Sequence, residues 1–283
     1  MKFLVFGCNG MAGHTISLYL KEKGHTVIGF DTKESKIVDS IVGNAFDTQL
    51  VKGIINEGNY DSIINCIGIL NKAADDNKAL STFLNSYWPH FLVECTKGTN
   101  TQVIHMSTDC VFSGKKGSYT ENDLPDGETF YDRTKALGEI ETDKDITLRN
   151  SIVGPDINPL GIGLLNWFLQ QDGEINGYTK AMWTGQTTLQ LAKTMEYVAL
   201  HRCHGLVNAV PDHSISKYNL LQLFAKYFNK QINIKPIEGV VADKSLKRTN
   251  FEIDYLIPDY ETMIKELADW VFKHKDLYSH YGF

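Results

Sequence analysis

Tyr131 and Lys135 stand four residues apart, a spacing that on a helix puts both side chains on one face. An ammonium beside a phenol can bring the phenol's pKa down from about 10 toward the working pH, so the pair can do acid chemistry. The pattern alone selects little. With 13 Tyr in 283 residues and Lys more numerous still, chance supplies about one such pair. Tyr19 and Lys23 form a second, with no hydroxyl motif upstream. Position distinguishes the first pair. Upstream of it an apolar run, 102–107, leads into Ser107-Thr108-Asp109-Cys110-Val111-Phe112. The C-terminal ends of parallel strands are where α/β sheets bind ligands, and a hydroxyl there can share a hydrogen bond with a substrate carbonyl beside the tyrosine.

A second chemical element opens the chain. The strand-like run 3–6 is followed by Gly7-Cys8-Asn9-Gly10-Met11-Ala12-Gly13, and then by a helix-like stretch, 15–23. Glycines in such a turn let the backbone approach a pyrophosphate, which rests on the helix N-terminus. The spacing is G-x-x-G-x-x-G, with Asn9 where the common dinucleotide fingerprint has glycine. Gly7, Asn9, Gly10, Met11 and Gly13 are therefore candidate cofactor residues. The next apolar run, 26–30, ends at Asp31, 18 residues after Gly13. A carboxylate there suits the adenosine ribose hydroxyls and repels the extra phosphate of NADP, although it is also a common turn residue. Lys33, two residues on, partly compensates that repulsion.

Positioning these groups requires alternating strands and helices. Strand-like runs at 37–42, 62–67, 102–107 and 146–149 alternate with helical ones at 49–57, 76–96 (Pro89 marking a bend) and 130–141. This βαβα rhythm predicts an α/β fold: a Rossmann-type, doubly wound parallel sheet with helices on both faces. After Arg149 the rhythm changes. Residues 154–163 are a Gly, Pro and Asn-rich loop, 164–171 helical, 173–187 irregular, 188–201 helix, 206–210 strand, 216–228 helix with Ser216 as N-cap candidate, and 263–273 helix. We expect a dinucleotide-binding domain over 1–152 and, over 153–283, mainly a smaller substrate-binding lobe, some of whose elements return to the main sheet.

Composition is that of an ordinary globular chain, with 42% hydrophobic and 22% charged residues. The net charge of −6 argues against nucleic acid as partner. No apolar run approaches a membrane span, and the N-terminus has no signal-peptide pattern. The five cysteines are scattered and odd in number. They read as reduced thiols, and the expected location is the cytoplasm.

Together, Gly-x-x-Gly-x-x-Gly, Ser-Thr-Asp-x-Val-Phe and Tyr-x-x-x-Lys, in this order and at these distances, resemble an extended short-chain dehydrogenase/reductase. The nearer resemblance is to the dTDP-4-dehydrorhamnose reductase family, which acts on nucleotide-linked 4-keto-6-deoxy sugars. It takes in Leu84-Asn85-Ser86, Leu148-Arg149-Asn150-Ser151 and Met182-Trp183-Thr184-Gly185-Gln186, and is more specific in the first half than in the second. The resemblance implies that Tyr131 protonates the carbonyl oxygen as hydride arrives, that Lys135 holds the nicotinamide ribose and tunes Tyr131, and that Thr108 completes the triad. Ser107 competes with Thr108 and otherwise faces the sheet interior. Cys66, Ile67 and Gly68 would line the cofactor. Asp47 resembles the acidic residue beside the adenine and is equally a helix N-cap. Asn85 and Asp109 fall in substrate-binding stretches. Lys244, in the basic cluster 243–248, would hold a diphosphate, unless the cluster is a solvated loop. Trp183 stacks on a base or sugar, or is core. Arg149 follows a buried strand, where a diphosphate or an acidic neighbour must satisfy its charge.

Two departures narrow the reading. Some relatives bridge magnesium with glutamates, one just after the glycine turn; here His14-Thr15-Ile16-Ser17 carries no carboxylate, and no metal site is predicted. Dehydratases of the extended family follow the catalytic Thr with Asp-Glu, whereas Thr108 is followed by Asp109-Cys110. The expected activity is simple carbonyl reduction with NADH or NADPH, NADH slightly favoured, in surface polysaccharide precursor synthesis. A non-catalytic dinucleotide-binding regulatory subunit, like the beta subunit of methionine adenosyltransferase, and a nucleotide-sugar epimerase are the alternatives. The resemblance also implies a possible homodimer.

Overall fold

Alternating residues of the first strand separate two cores. In the computed structural model, which describes residues 1–239 and 241–282, β1 (Lys2–Phe6) sends Phe3 and Val5 to one face and Leu4 and Phe6 to the other. A strand buried on both faces belongs in the middle of a parallel sheet. The first half continues with α1 (Met11–Glu22), β2 (Thr26–Asp31), β3 (Asp39–Val42), α2 (Thr48–Gly58) and β4 (Ser62–Asn65). Two short helices follow, α3 (Asn71–Asp76) and α4 (Lys78–Ser81). A π-helical stretch, Thr82–Tyr87, runs from α4 into α5 (Trp88–Cys95) on continuous helical backbone angles, and Pro89 lies where the π-helical turn passes into α5. Then come β5 (Gln102–Ser107), α6 (Phe130–Leu137) and β6 (Ile146–Arg149).

The second half supplies β7 (Ile152–Val153), α7 (Leu164–Leu169), β8 (Glu174–Tyr178), β9 (Ala181–Trp183), β10 (Gln186–Thr187), α8 (Thr188–His201) and β11 (Gly205–Asn208). After these come β12 (Ile215–Ser216), α9 (Lys217–Tyr227), β13 (Asn233–Ile237), β14 (Ala242–Asp243) and α10 (Tyr260–Lys273). Ser216 caps α9 by accepting a bond from the Asn219 N–H. The stretch 173–187, expected to be irregular, holds three short strands: β8 pairs with β13, β9 with β12 and β14, and β10 with β7.

The main sheet has seven strands in the order β11-β6-β5-β4-β1-β2-β3, and all its pairings are parallel. β11 comes from the second half and closes the edge beside β6. Chain direction across the sheet reverses between β1 and β4, the switch point at which open α/β sheets bind ligands. One core layer contains α1, α8, α9 and α10; the other contains α2 and α5. The C-terminal 3-10 stretch, Lys275–Tyr281, returns to α1, where the buried His14 meets the Tyr278 hydroxyl through Nε2 at 2.9 Å. Among the described residues no helix is long and apolar enough to cross a membrane.

Candidate active site

The turn between β1 and α1 is built around glycine. Gly7 has φ +77°, in the left-handed region, and a Cβ on it would stand 3.1 Å from the Cys66 carbonyl carbon. A Cβ on Gly13 would lie 2.0 Å from the Gly7 oxygen, so only glycine lets α1 approach the turn this closely. α1 begins at Gly10 with no side-chain cap and leaves first-turn N–H groups for an anion. Asp31 at the end of β2 is half-buried beside the turn. Its carboxylate accepts bonds from the Asn9 N–H at 3.0 Å and the Thr32 N–H at 2.7 Å. Asn9 in turn donates through Nδ2 to the Lys33 carbonyl.

A cavity of about 420 Å³ opens at the strand ends. The glycine turn (Gly10, Met11), the segment after β4 (Cys66, Ile67, Gly68), the segment after β5 (Thr108, Asp109), α6 (Tyr131, Lys135) and the segment after β6 (Asn150, Ser151) all reach it. The sequence at the start of α6 explains how Tyr131 gets there. Thr129 and Asp132 form a capping box, and the Asp75 carboxylate accepts the N–H groups of Phe130 and Tyr131 at 3.0 and 3.2 Å. Tyr131 and Lys135 are 6% and 5% exposed, and Lys135 Nζ donates to the Met106 carbonyl at 2.8 Å. Thr108 accepts from the Cys110 N–H and donates to Asp109 at 3.1 Å.

Burial dominates the electrostatics of this group. It pushes the Tyr131 phenol well above its ordinary value; Cys110 and Asp109 add to that, and the bond to Thr108 offsets part of it. The expected lowering by Lys135 is thus overturned, because desolvation sets the direction of the shift. Burial brings Lys135 down to about 8, with Glu139 and then Cys66 pulling the other way. Asp109 is raised by burial, partly relieved by Thr108 and by the charge of Lys244. Lys244 itself does not line the cavity.

Several expected ligand-facing residues are occupied elsewhere. Arg149 donates to Glu139 through Nε and Nη2, each at 2.7 Å, and lies over the Phe112 ring. The acidic neighbour, one of the two expected partners, satisfies its buried charge. Ser107 donates to the same carboxylate at 2.7 Å, and both Ser107 and Thr108 line the cavity. Asn85 spends its amide on the Ile69 backbone and on Thr134, tying the segment after β4 to α6. Trp183 is core, packed against Tyr260 with ring centroids 5.6 Å apart. Asp47 caps α2 by accepting the Leu50 N–H at 3.0 Å and does not line the cavity. Sequence reasoning missed Glu139 and Asn150. Glu139 had a signal, its position four residues after Lys135; Asn150 had none beyond lying in a matching stretch.

Comparison with known proteins bears on the family and the fold. The model of the RmlD substrate binding domain family matches residues 1–153. The chain is 32% identical over 143 residues to the "Probable low-salt glycan biosynthesis reductase Agl14" of Haloferax volcanii, a match that covers 49% of this chain and 48% of that protein. It is also 32% identical over 140 residues to the "Spore coat polysaccharide biosynthesis protein SpsK" of Bacillus subtilis, covering 49% and 47%. The chain thus spans about half the length of these curated relatives. Among solved structures, a dTDP-4-dehydrorhamnose reductase from Clostridium acetobutylicum superposes with a TM-score of 0.79 at 21% identity, covering 96% of this chain and 100% of that one. At that identity the likeness establishes the fold.

Proposed function

We propose that this chain, which belongs to the RmlD substrate binding domain family, reduces the C4 keto group of a nucleotide-linked 4-keto-6-deoxy sugar with NAD(P)H. The observation that carries this reading is the convergence of Thr108, Tyr131 and Lys135 on one cavity with the glycine turn. The residues fit a dinucleotide. Gly13 leaves no room for a side chain against Gly7, the start of α1 is uncapped, and Asp31 stands beside the turn. Gly7, Asn9, Gly10, Met11 and Gly13 would hold the pyrophosphate, Asp31 the adenosine ribose, Cys66, Ile67 and Gly68 the backbone side of the cofactor, and Lys135 the nicotinamide ribose.

Bound NAD(P)H supplies a hydride. Tyr131, kept protonated by burial, gives its proton to the carbonyl oxygen as charge develops there, and Thr108 holds the same oxygen. Asp109 and Lys244 would meet the sugar nucleotide, and residues of the lobe after 152, Asp156 and Ile162 among them, line the same cavity as Asp109. Asp31 favours NADH by repelling a 2′-phosphate, and the exposed Lys33 moderates that preference. The polysaccharide and glycan roles in the names of the relatives support a product used in surface polysaccharide synthesis. Two copies would pair through the helices flanking Tyr131, where Tyr87 stacks on Phe91 and is half exposed.

The test is a panel of enzymatically made dTDP- and UDP-linked 4-keto-6-deoxy sugars with NADH or NADPH, followed by loss of nicotinamide absorbance. Oxidation with one sugar fixes substrate, nucleotide and cofactor together. Cofactor binding with no oxidation across the panel would overturn the reading in favour of a binding subunit, and redox-neutral interconversion would make the protein an epimerase.

A further inference from the structure

Two tyrosines three residues apart, Tyr278 and Tyr281, tie two segments of the cavity wall to one another. On one side, Tyr278 is fully buried and its hydroxyl lies 2.9 Å from His14 Nε2. His14 Nδ1 lies 2.9 Å from the carbonyl oxygen of Gly10, the residue that opens α1 and lines the cavity. Burial keeps this imidazole neutral, bringing it down to about 4. A carbonyl can only accept, so Nδ1 carries the single proton, Nε2 is the acceptor, and Tyr278 donates to it. The Thr15 hydroxyl, 3.4 Å from the same nitrogen, is the more distant neighbour. On the other side, the Tyr281 hydroxyl accepts the N–H of Asp156 at 2.9 Å, and Asp156 lines the cavity too. The two tyrosine rings stack, with centroids 6.1 Å apart.

The segment that Tyr281 holds is itself organised. Asp156 Oδ1 accepts the Asn158 N–H at 2.8 Å, and Asn166 of α7 donates through Nδ2 to the Gly161 carbonyl at 2.6 Å. Where this loop meets the glycine turn there is little room, because a Cβ on Gly163 would stand 2.7 Å from Met11 Sδ. Any shift between loop and turn therefore changes the slot between them. We propose that Tyr278 and Tyr281 are positioning residues for the dinucleotide: through His14 and the Asp156 N–H they hold the glycine turn and the loop before α7 at the separation that a bound dinucleotide requires. Neither tyrosine lines the cavity. Phenylalanine rings would fill the same space, and what needs the two oxygens is the polar group each meets. The inference rests on the dinucleotide reading of the glycine turn and not on the sugar.

The experiment uses the full chain and NADH or NADPH, whichever the unsubstituted protein binds more tightly. Affinity and dissociation rate are measured by fluorescence titration and stopped flow for Tyr278→Phe, Tyr281→Phe and the double variant. Tyr19→Phe is the control, since it removes a buried hydroxyl bond from the same helix, to Glu196 at 2.7 Å. Each single variant should bind about fivefold more weakly, mostly through faster dissociation. The double variant should stay within about twofold of the weaker single, because either change releases the same slot. Tyr19→Phe should stay within about twofold of the unsubstituted protein. Unchanged affinity in either single variant, or an equal loss in Tyr19→Phe, would reduce the tyrosines to packing and overturn the inference. Additive losses would also overturn it, since they would mean two separate contacts and no common tie. Tyr281→Phe, the milder change because the ring is only partly buried, carries the test if Tyr278→Phe does not fold. An unsubstituted protein that binds neither nucleotide would sink the dinucleotide reading itself, and this inference with it.

Discussion

On the α6 side of the β5–β6 edge, Ser107 and Arg149 both give their hydrogen bonds to the Glu139 carboxylate. One residue further along each strand, Thr108 bonds to Asp109 and the Cys110 N–H, and the Asn150 amide is buried with no protein partner. All four residues are polar and buried. What separates them is strand alternation, which hands successive side chains to opposite faces. Glu139 closes the first pair; the second pair, which lines the cavity together with Ser107, is the set a ligand would meet under the proposed function. Asn85 and Asp47 belong with the closed set, because the Ile69 backbone and the Leu50 N–H respectively occupy them. Substitutions in the closed set should therefore cost stability, and those in the open set should cost function.

The largest effect expected is at Tyr131. Tyr131→Phe removes the proton donor and leaves the ring, so turnover should fall on the order of 10³-fold. NADH affinity should stay near its original value in direct binding. Equal losses in both would move Tyr131 from proton donor to binding wall.

Arg149→Met tests the closed face. Removing one partner of a buried ion pair strands the other, and the loss is typically about 3–5 kcal/mol. Thermal or denaturant unfolding should report it, with sugar-nucleotide affinity little changed in whatever protein folds. A stable variant with weakened sugar binding would instead make Arg149 a diphosphate ligand and collapse the distinction between the faces.

Lys135 sits on the border of the two sets and yields a pH test. Its folded pKa of about 8 lies below the ordinary 10.5. Between these values the unfolded chain binds more protons than the folded one, so stability attributable to this group rises with pH across that window. Lys135→Met should thus raise the melting temperature at pH 7, where the full penalty of the buried charge applies. The gain should shrink as pH rises from about 8 toward 10.5, and activity should be lost throughout. In the unsubstituted protein NADH affinity should decline as pH climbs through about 8, where the ammonium is lost. A flat affinity profile would separate Lys135 from cofactor binding.

Much of this was legible in the chain before any coordinates. β5, β6 and α8 lie where apolar patterning placed them, because each is buried along most or all of its length and its apolar residues carry the signal. The glycine turn, Thr108, Tyr131 and Lys135 were legible as motifs, and the structure brings them together. The strands at 174–187 were not: each has only two to five residues, and the partners of β8 lie beyond residue 230. No local window contains that pairing. The identity of the Arg149 partner was hidden for a related reason, since whether a buried guanidinium meets a carboxylate or a ligand depends on a helix end ten residues upstream. The phenol's direction of shift was misjudged because a helical spacing names the neighbouring ammonium and says nothing about burial.

Asp47 provides the smallest and most discriminating case. Its carboxylate accepts the Leu50 N–H at the start of α2, while its sequence context equally suited a place beside the adenine. Removing an N-cap side chain typically costs about 1 kcal/mol, whereas serine caps nearly as well as aspartate. Asp47→Ala should therefore lower stability by about 1 kcal/mol, Asp47→Ser should restore most of it, and neither should change NADH affinity. The serine variant separates the two roles, because it keeps the cap and removes the carboxylate. If it is as stable as the original and yet binds NADH more weakly, the carboxylate reads the adenine, and Asp47 moves from the closed set to the open one.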